Sequence, residues 1–284
     1  MKKVIPAILL ALASALALFP LLVTFAGSFM TETEIMLRYS AATTVFDLAS
    51  GTTRFAQMSL MPNRATLSQY LSVLFLQPSF LILLGNSAKI ALPAVAGNVV
   101  VSTLAAYGFH AWKSKASDAV FAVYVVVMLM PLQAVIVPNY IIADTLGIKD
   151  SYLAIILPGI FSPFGAFLIK QAMKSLDPAC FEAASADGAG HFTLFLRIFC
   201  PQMKSAMAAL AMLSFIEHWN IVEQAVVFIK DYYREPLSVY LSRIASGSAG
   251  IAFAASCVYM AFPLTLLAMG QDSLEMGIEL SGIK

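Results

Sequence analysis

Six apolar runs of about 20 residues, almost free of charge, constrain this chain more than any other feature. They lie near 5–26, 81–108, 119–141, 152–169, 203–228 and 251–269. A hydrocarbon core about 30 Å thick takes about 20 residues of helix, so each run is long enough to cross it. The runs are unbroken, whereas an outer-membrane barrel shows alternating segments of about 10 residues. The expected fold class is therefore an all-α membrane protein with about six transmembrane helices. Composition agrees: 60% of residues are hydrophobic and 12% charged, against about 45–50% and about 25% in soluble domains. With 17 Lys and Arg against 16 Asp and Glu, the net charge is +1. Such a chain has no long-range field to gather a polyanion, and no nucleic-acid partner is expected.

The first run has two readings. Lys2 and Lys3, an apolar stretch and Ala13-Ser14-Ala15 resemble a cleavable signal peptide. The apolar run continues through Phe25, longer than such a peptide needs, and this favours a retained anchor. Basic residues then set the orientation. Lys2 and Lys3 precede the first span. His110, Lys113 and Lys115 lie between the second and third, and Lys170, Lys174, Arg197 and Lys204 surround the connection from fourth to fifth. Alternating spans put all of these on one face, which the positive-inside rule makes cytoplasmic, with both termini there. The segment 28–80 is then an external connection. Cys180, Cys200 and Cys257 have no metal-like spacing and are expected to be reduced thiols.

Enzyme signatures are absent from the sequence. It has no GxxxxGK[ST] phosphate loop, no HExxH and no GxSxG. The most informative stretch is the connection between the fourth and fifth spans, from Asp177 to Gly190. Asp177 followed by Pro178 is a helix N-cap with proline at the first helical position, where its missing N–H costs nothing. Ala179, Ala183, Ala184 and Ala186 favour propagation, and Gly188 can supply the left-handed residue that ends the helix. A short helix, a sharp bend and a second helical segment from Phe192 toward Pro201 follow. The alanines leave a slim surface able to enter a groove, Phe181 offers an apolar anchor and Glu182 an ionic contact. Asp187 stands at the helix C-terminus, against the macrodipole, which suggests an external partner. The alternative is a loop helix that packs only beneath its own bundle.

Glu182-Ala183-Ala184, Asp187-Gly188-Ala189, Ile198 and Pro201 resemble the EAA loop of bacterial ABC-importer permeases, with Cys200 where that pattern usually has leucine. Asn86-Ser87, Pro131-x-Gln133, Pro138, Leu146-Gly147, Trp219-Asn220, Gln271, Gly277 and Gly282 resemble landmarks of the carbohydrate branch, the maltose- and glycerol-phosphate-type membrane subunits. The resemblance covers nearly the whole chain. It implies a single type I importer (MetI-like) transmembrane domain over 1–284, with 1–27 as first span, 28–80 external, 81–276 as core, the EAA loop at 177–201 and a cytoplasmic tail at 277–284. It also implies that the EAA helix is a coupling helix for a cytosolic ATPase. Glu182 would pair with basic groups of that ATPase, Ala183 and Ala184 would permit close approach, and Gly188 would allow the bend. ATP and Mg would be bound by the ATPase dimer and no cofactor by this chain. Further implied partners are a second related permease, an extracytoplasmic substrate-binding protein, membrane lipid and a carbohydrate. The implied location is the inner membrane of a bacterial cell.

A solute path is expected in the fifth span. Starting near Met203, it would end near Val222 and carry Glu217, His218, Trp219 and Asn220 in its outer half. Ionisable groups at that depth cost about 2.5–3.5 kcal/mol each on insertion scales and face a cavity or a partner. Glu217, Asn220 and Gln224 at i, i+3, i+7 would share a face suited to sugar hydroxyls, with Trp219 stacking on a pyranose. Alternatively the helix ends early and these groups sit at the outer interface, with Trp219 as a belt aromatic. Pro131, Pro138, Pro158 and Pro163 interrupt the third and fourth spans, which makes Gln133, Asn139 and Ser162 further path candidates. The rival function from another class is an ion-coupled secondary transporter using Glu217 and Glu223.

Overall fold

The computed structural model describes residues 4–40, 59–112, 114–244 and 249–281, which are almost wholly helical with no strand among them. Lys2, Lys3, Lys113, Gly282 and positions 41–58 of the external connection lie outside the described residues. Four helical stretches are long and apolar enough to cross a membrane, and two bent helix pairs raise the number to six. The chain divides into two compact units, Met1–Leu84 with Tyr240–Phe262 and Gly85–Val239 with Pro263–Lys284.

In the first unit, α1 (Val4–Ser28) is apolar on all sides and exposes nearly all of its length, Leu16 by 74%. A helix hydrophobic all round belongs in lipid. Its C-terminal end is anchored. A Cβ at Gly27 would lie 2.6 Å from the Phe253 ring, and the Ser28 and Tyr70 hydroxyls are 2.7 Å apart. Beyond it, the nearly buried Glu34 carboxylate accepts from the Asn63 backbone N–H at 2.9 Å and pairs with Arg38 at 2.7 Å. This unit also holds the start of the last helix, α10 (Ala249–Ser281). That helix runs unbroken through Pro263 and well past the expected span end at 269.

The second unit is built on the part from Gly85 onward of α2 (Pro78–Ala111), a helix of 34 residues and about 50 Å at 1.5 Å each. Five residues at a spacing of four, Ile90, Ala94, Asn98, Ser102 and Ala106, form one buried stripe along it. Ile90 and Ala94 enter one apolar cluster with Ala154, Ile155, Ala225 and Phe228. Ala106 enters another with Leu168, Phe199, Met203 and Leu210. Asn98 and Ser102 occupy the layer between.

Two expected spans are bent. Residues 119–141 become α3 (Lys115–Met128) and α4 (Leu132–Thr145), which meet at 102°. Leu129 and Met130 close α3, and Pro131, with ψ 146°, leaves the helix because its ring and missing N–H forbid continuation. The fourth span contains α5 (Leu153–Ile160) and α6 (Pro163–Ala172), broken at Phe161 and Ser162. The expected fifth span, 203–228, is shorter than its apolar run. It holds α8 (Lys204–Trp219), set at 72° to the preceding helical stretch His191–Gln202, and then α9 (Glu223–Phe228) after a break. Between α6 and α8 lies the short α7 (Pro178–Ala186).

Candidate functional site

Local chemistry defines α7 at both ends. The Asp177 carboxylate accepts from the Ala179 N–H at 3.0 Å, and Pro178 occupies the first helical position. At the other end Gly188 has φ +82°. The Ala189 N–H donates to the Ala184 carbonyl at 3.0 Å and the Gly188 N–H to that of Ser185 at 3.1 Å. This paired closure satisfies two carbonyls that would otherwise be left open, and it needs a left-handed residue at Gly188.

One side of α7 faces its own chain. Phe181 packs against the cluster of Leu168, Met173 and Phe199, with its ring 5.1 Å from His110. It holds α7 to the bundle rather than standing free as an outward anchor. Glu182, Ala183, Ala186 and Asp187 are exposed, while Ala184 is half-buried. The exposed apolar ring nearby is Phe192, at 76%. In the sequence Phe192 marks only a helix start, and its apolar neighbours at helical spacing, Phe195 and Phe199, give no sign that its ring stands exposed. The segment after α7 is fastened to α2, where the Tyr107 hydroxyl donates to the His191 carbonyl at 3.1 Å and its ring meets Phe195 at 5.2 Å.

The expected path residues are distributed differently from a single face. Because α8 ends at Trp219, Glu217, Asn220 and Gln224 do not share one helix. Glu217 and Asn220 are exposed, and the Asn220 amide donates back to the Ile216 carbonyl at 2.9 Å. Trp219 is 2% exposed and stacked on Phe215 at 5.1 Å, so its ring belongs to the core. Gln224 is half-buried on α9. The structure does bring Gln133 and Glu223 together: the Gln133 amide donates to the carboxylate at 3.1 Å, joining the first turns of α4 and α9. Asn139 is half-buried in α4 and Ser162 precedes α6. Among the described residues, Glu217, Asn139 and Ser162 make no hydrogen bond to one another.

The break in the fourth span has a partner that sequence reasoning did not name. Pro163 has no N–H, so the Gly159 carbonyl four residues earlier loses its helical donor. The buried Asn98 amide replaces it at 2.9 Å, and the Ser102 hydroxyl donates to the Asn98 carbonyl oxygen at 3.1 Å. A neighbouring helix thus satisfies the freed backbone group. The approach is close: a Cβ at Gly165 would lie 2.2 Å from Ser102 Oγ, and one at Gly159 2.2 Å from His218 Nε2. His218 is itself buried, with Nδ1 2.8 Å from the Ser214 carbonyl. The available signal was an Asn and a Ser four apart in an apolar span.

Asn86 and Ser87 brace the connection after α9. The Asn86 amide donates to the carbonyls of Tyr233 at 2.7 Å and Glu235 at 3.1 Å, and the Leu237 N–H donates to Ser87 Oγ at 2.9 Å. Asp150 ties the same connection from another side, its carboxylate accepting the Lys230 N–H at 2.9 Å while Arg234 donates to its carbonyl at 3.0 Å. The Lys230 N–H, the Asp231 N–H and the positive charges of Arg234 and Lys230 hold the Asp150 carboxyl below the usual aspartate range, against the opposing effect of burial.

Apolar helices with broken spans, a buried polar layer and an exposed doubly capped helix are the build of a membrane-spanning subunit. Residues 98–271 match the family described as binding-protein-dependent transport system inner membrane component, and the chain belongs to that family. It is similar to the lactose transport system permease protein LacG of Rhizobium radiobacter, with 31% identity over 161 residues, 57% of this chain and 59% of that one. It is also similar to the arabinooligosaccharides transport system permease protein AraQ of Halalkalibacterium halodurans, with 25% identity over 72% of this chain and 68% of that one. The match thus spans less than two thirds of the length of the lactose permease. Among solved structures, a bacterial ABC transporter involved in the import of the acidic polysaccharide alginate has the same fold, with a TM-score of 0.75, 19% identity and 95% coverage of both chains.

Proposed function

We propose that this chain is one of two permease subunits of a bacterial ABC importer for a carbohydrate, a sugar or oligosaccharide, and that α7 is its contact with a separate ATPase. The observation carrying this reading is the build of α7: capped at both ends, braced by Phe181, and presenting Glu182 and Ala183 outward. Such a helix moves as a rigid body. A push on its exposed side passes through Phe181 into Leu168, Phe199 and Leu210, and so into α6 and α8. ATP and Mg act in the ATPase dimer, whose closure draws α7 inward and turns the bundle outward-facing. The sugar class follows from the substrates in the relatives' names. An extracytoplasmic binding protein delivers solute on the face opposite α7, and both termini are cytoplasmic.

The test is purification of the chain from its native membrane followed by reconstitution with whatever co-purifies. An ATPase subunit and a second permease should come with it, and binding protein loaded with sugar should stimulate ATP hydrolysis. Sugar uptake by this chain alone, driven by an ion gradient without ATPase, would overturn the proposal in favour of the secondary transporter.

A further inference from the structure

A recess of about 460 Å³ opens where α2 ends, α3 begins and the 23-residue span Leu153–Ser175 finishes. Phe109, His110, Trp112, Ser114, Asp118, Lys170, Met173 and Lys174 line it. The Lys170 ammonium sits 3.5 Å from the centroid of the Phe121 ring and 5.1 Å from that of Phe109, on aromatic faces rather than on a carboxylate. Among the described residues neither Lys170 nor Lys174 has a carboxylate within salt-bridge distance. Asp118 is on the rim, exposed, in the first turn of α3, where the helix dipole already favours it. The recess therefore offers two cations on an aromatic floor, with Asp118 attracting Lys170 only through space, beyond ion-pair distance.

We propose that this recess holds the phosphate headgroup of an anionic phospholipid. Its depth points to a lipid rather than a free anion, because it lies at the ends of spanning helices, where headgroups are. Trp112, 51% exposed beside it, is an amphipathic ring suited to the membrane–water interface. Along α3, Val120, Val123 and Val127 at i, i+3, i+7 are exposed and form an apolar stripe for the acyl chains. Basic pockets between spans on this side match anionic headgroups in charge and depth. The His110 ring on the recess wall also touches Phe181, which places the bound lipid next to the base of α7.

The test uses the full chain in vesicles, with Trp112 fluorescence taken as the difference between the wild type and W112F. Brominated phosphatidylglycerol should quench Trp112 at roughly thirtyfold lower mole fraction than brominated phosphatidylcholine, following from about 1 kcal/mol of attraction for each of the two lysines near a charged surface. Lys174→Gln, an exposed change that leaves packing intact, should remove several-fold of that preference, and K170Q/K174Q nearly all of it. Equal quenching by the two lipids, or a preference unchanged in both variants, overturns the proposal. Loss of the preference on adding millimolar inorganic phosphate, at ionic strength matched with chloride, also overturns it and assigns the recess to a free anion.

Discussion

The helices α7 and α8 end by opposite means. Gly188 ends α7 through its own conformation, with backbone bonds inside six residues and every neighbouring side chain from Glu182 to Asp187 exposed except Ala184. No glycine marks the end of α8. There His218 and Trp219 are pulled into the core against Gly159 and Phe215, while Glu217 and Asn220 stay outside. An end made by local bonds leaves the helix surface available to another molecule. An end made by tertiary packing uses that surface up. The two helices therefore suit different tasks, α7 for contact and α8 for holding the bundle.

The largest loss of function is expected at α7. Proline at 188 cannot adopt φ +82°, so Gly188→Pro should abolish ATP-coupled uptake in the reconstituted importer while membrane insertion persists. Glu182→Lys should do the same with the helix intact, and undiminished uptake in both variants would remove the contact role from α7. At α8 the expected loss is of stability instead. Trp219→Ala should cost about 3–5 kcal/mol in thermal unfolding of the solubilised chain, as for other large buried aromatics. Gly165→Ala, forced against Ser102 and Asn98, should cost about 1–3 kcal/mol by the same measurement. Asp177→Ala removes one capping bond and should cost about 1 kcal/mol, with the change confined to amide exchange in α7.

The smallest effect is pH-dependent. Asp150 has its pKa depressed, so its contribution to stability is present above the ordinary aspartate value of 3.8 and is lost as pH falls through its lower folded value. Asp150→Asn should therefore reduce protection of the Lys230 N–H at pH 7, with the difference vanishing as pH falls through the depressed folded value. No difference at any pH would show that the Asp150 backbone carbonyl, which the variant keeps, holds the connection rather than the carboxylate.

Both ends of α7 were legible because Asp177-Pro178 and Gly188 act on atoms within a few residues. The arrangement around α8 was not, since an apolar run alone does not set helix length. Residues 203–228 are apolar enough for one span, but packing of His218 and Trp219 stops the helix at 219 and separates Gln224 from Glu217. Pro138 and Pro158 stay inside α4 and α5, whereas Pro131 and Pro163 do mark breaks. Their geometry, 102° at one and an Asn98-filled carbonyl at the other, depended on neighbours far along the chain.

By itself the sequence determined that this chain is a helical membrane protein and that α7 begins at Pro178 and ends before Gly188, because chain hydropathy and backbone capping are local. Only the tertiary structure decided where α8 ends, that Gln133 meets Glu223, and that Phe181 turns inward. Those outcomes depend on which distant groups satisfy a freed carbonyl or fill a gap between helices.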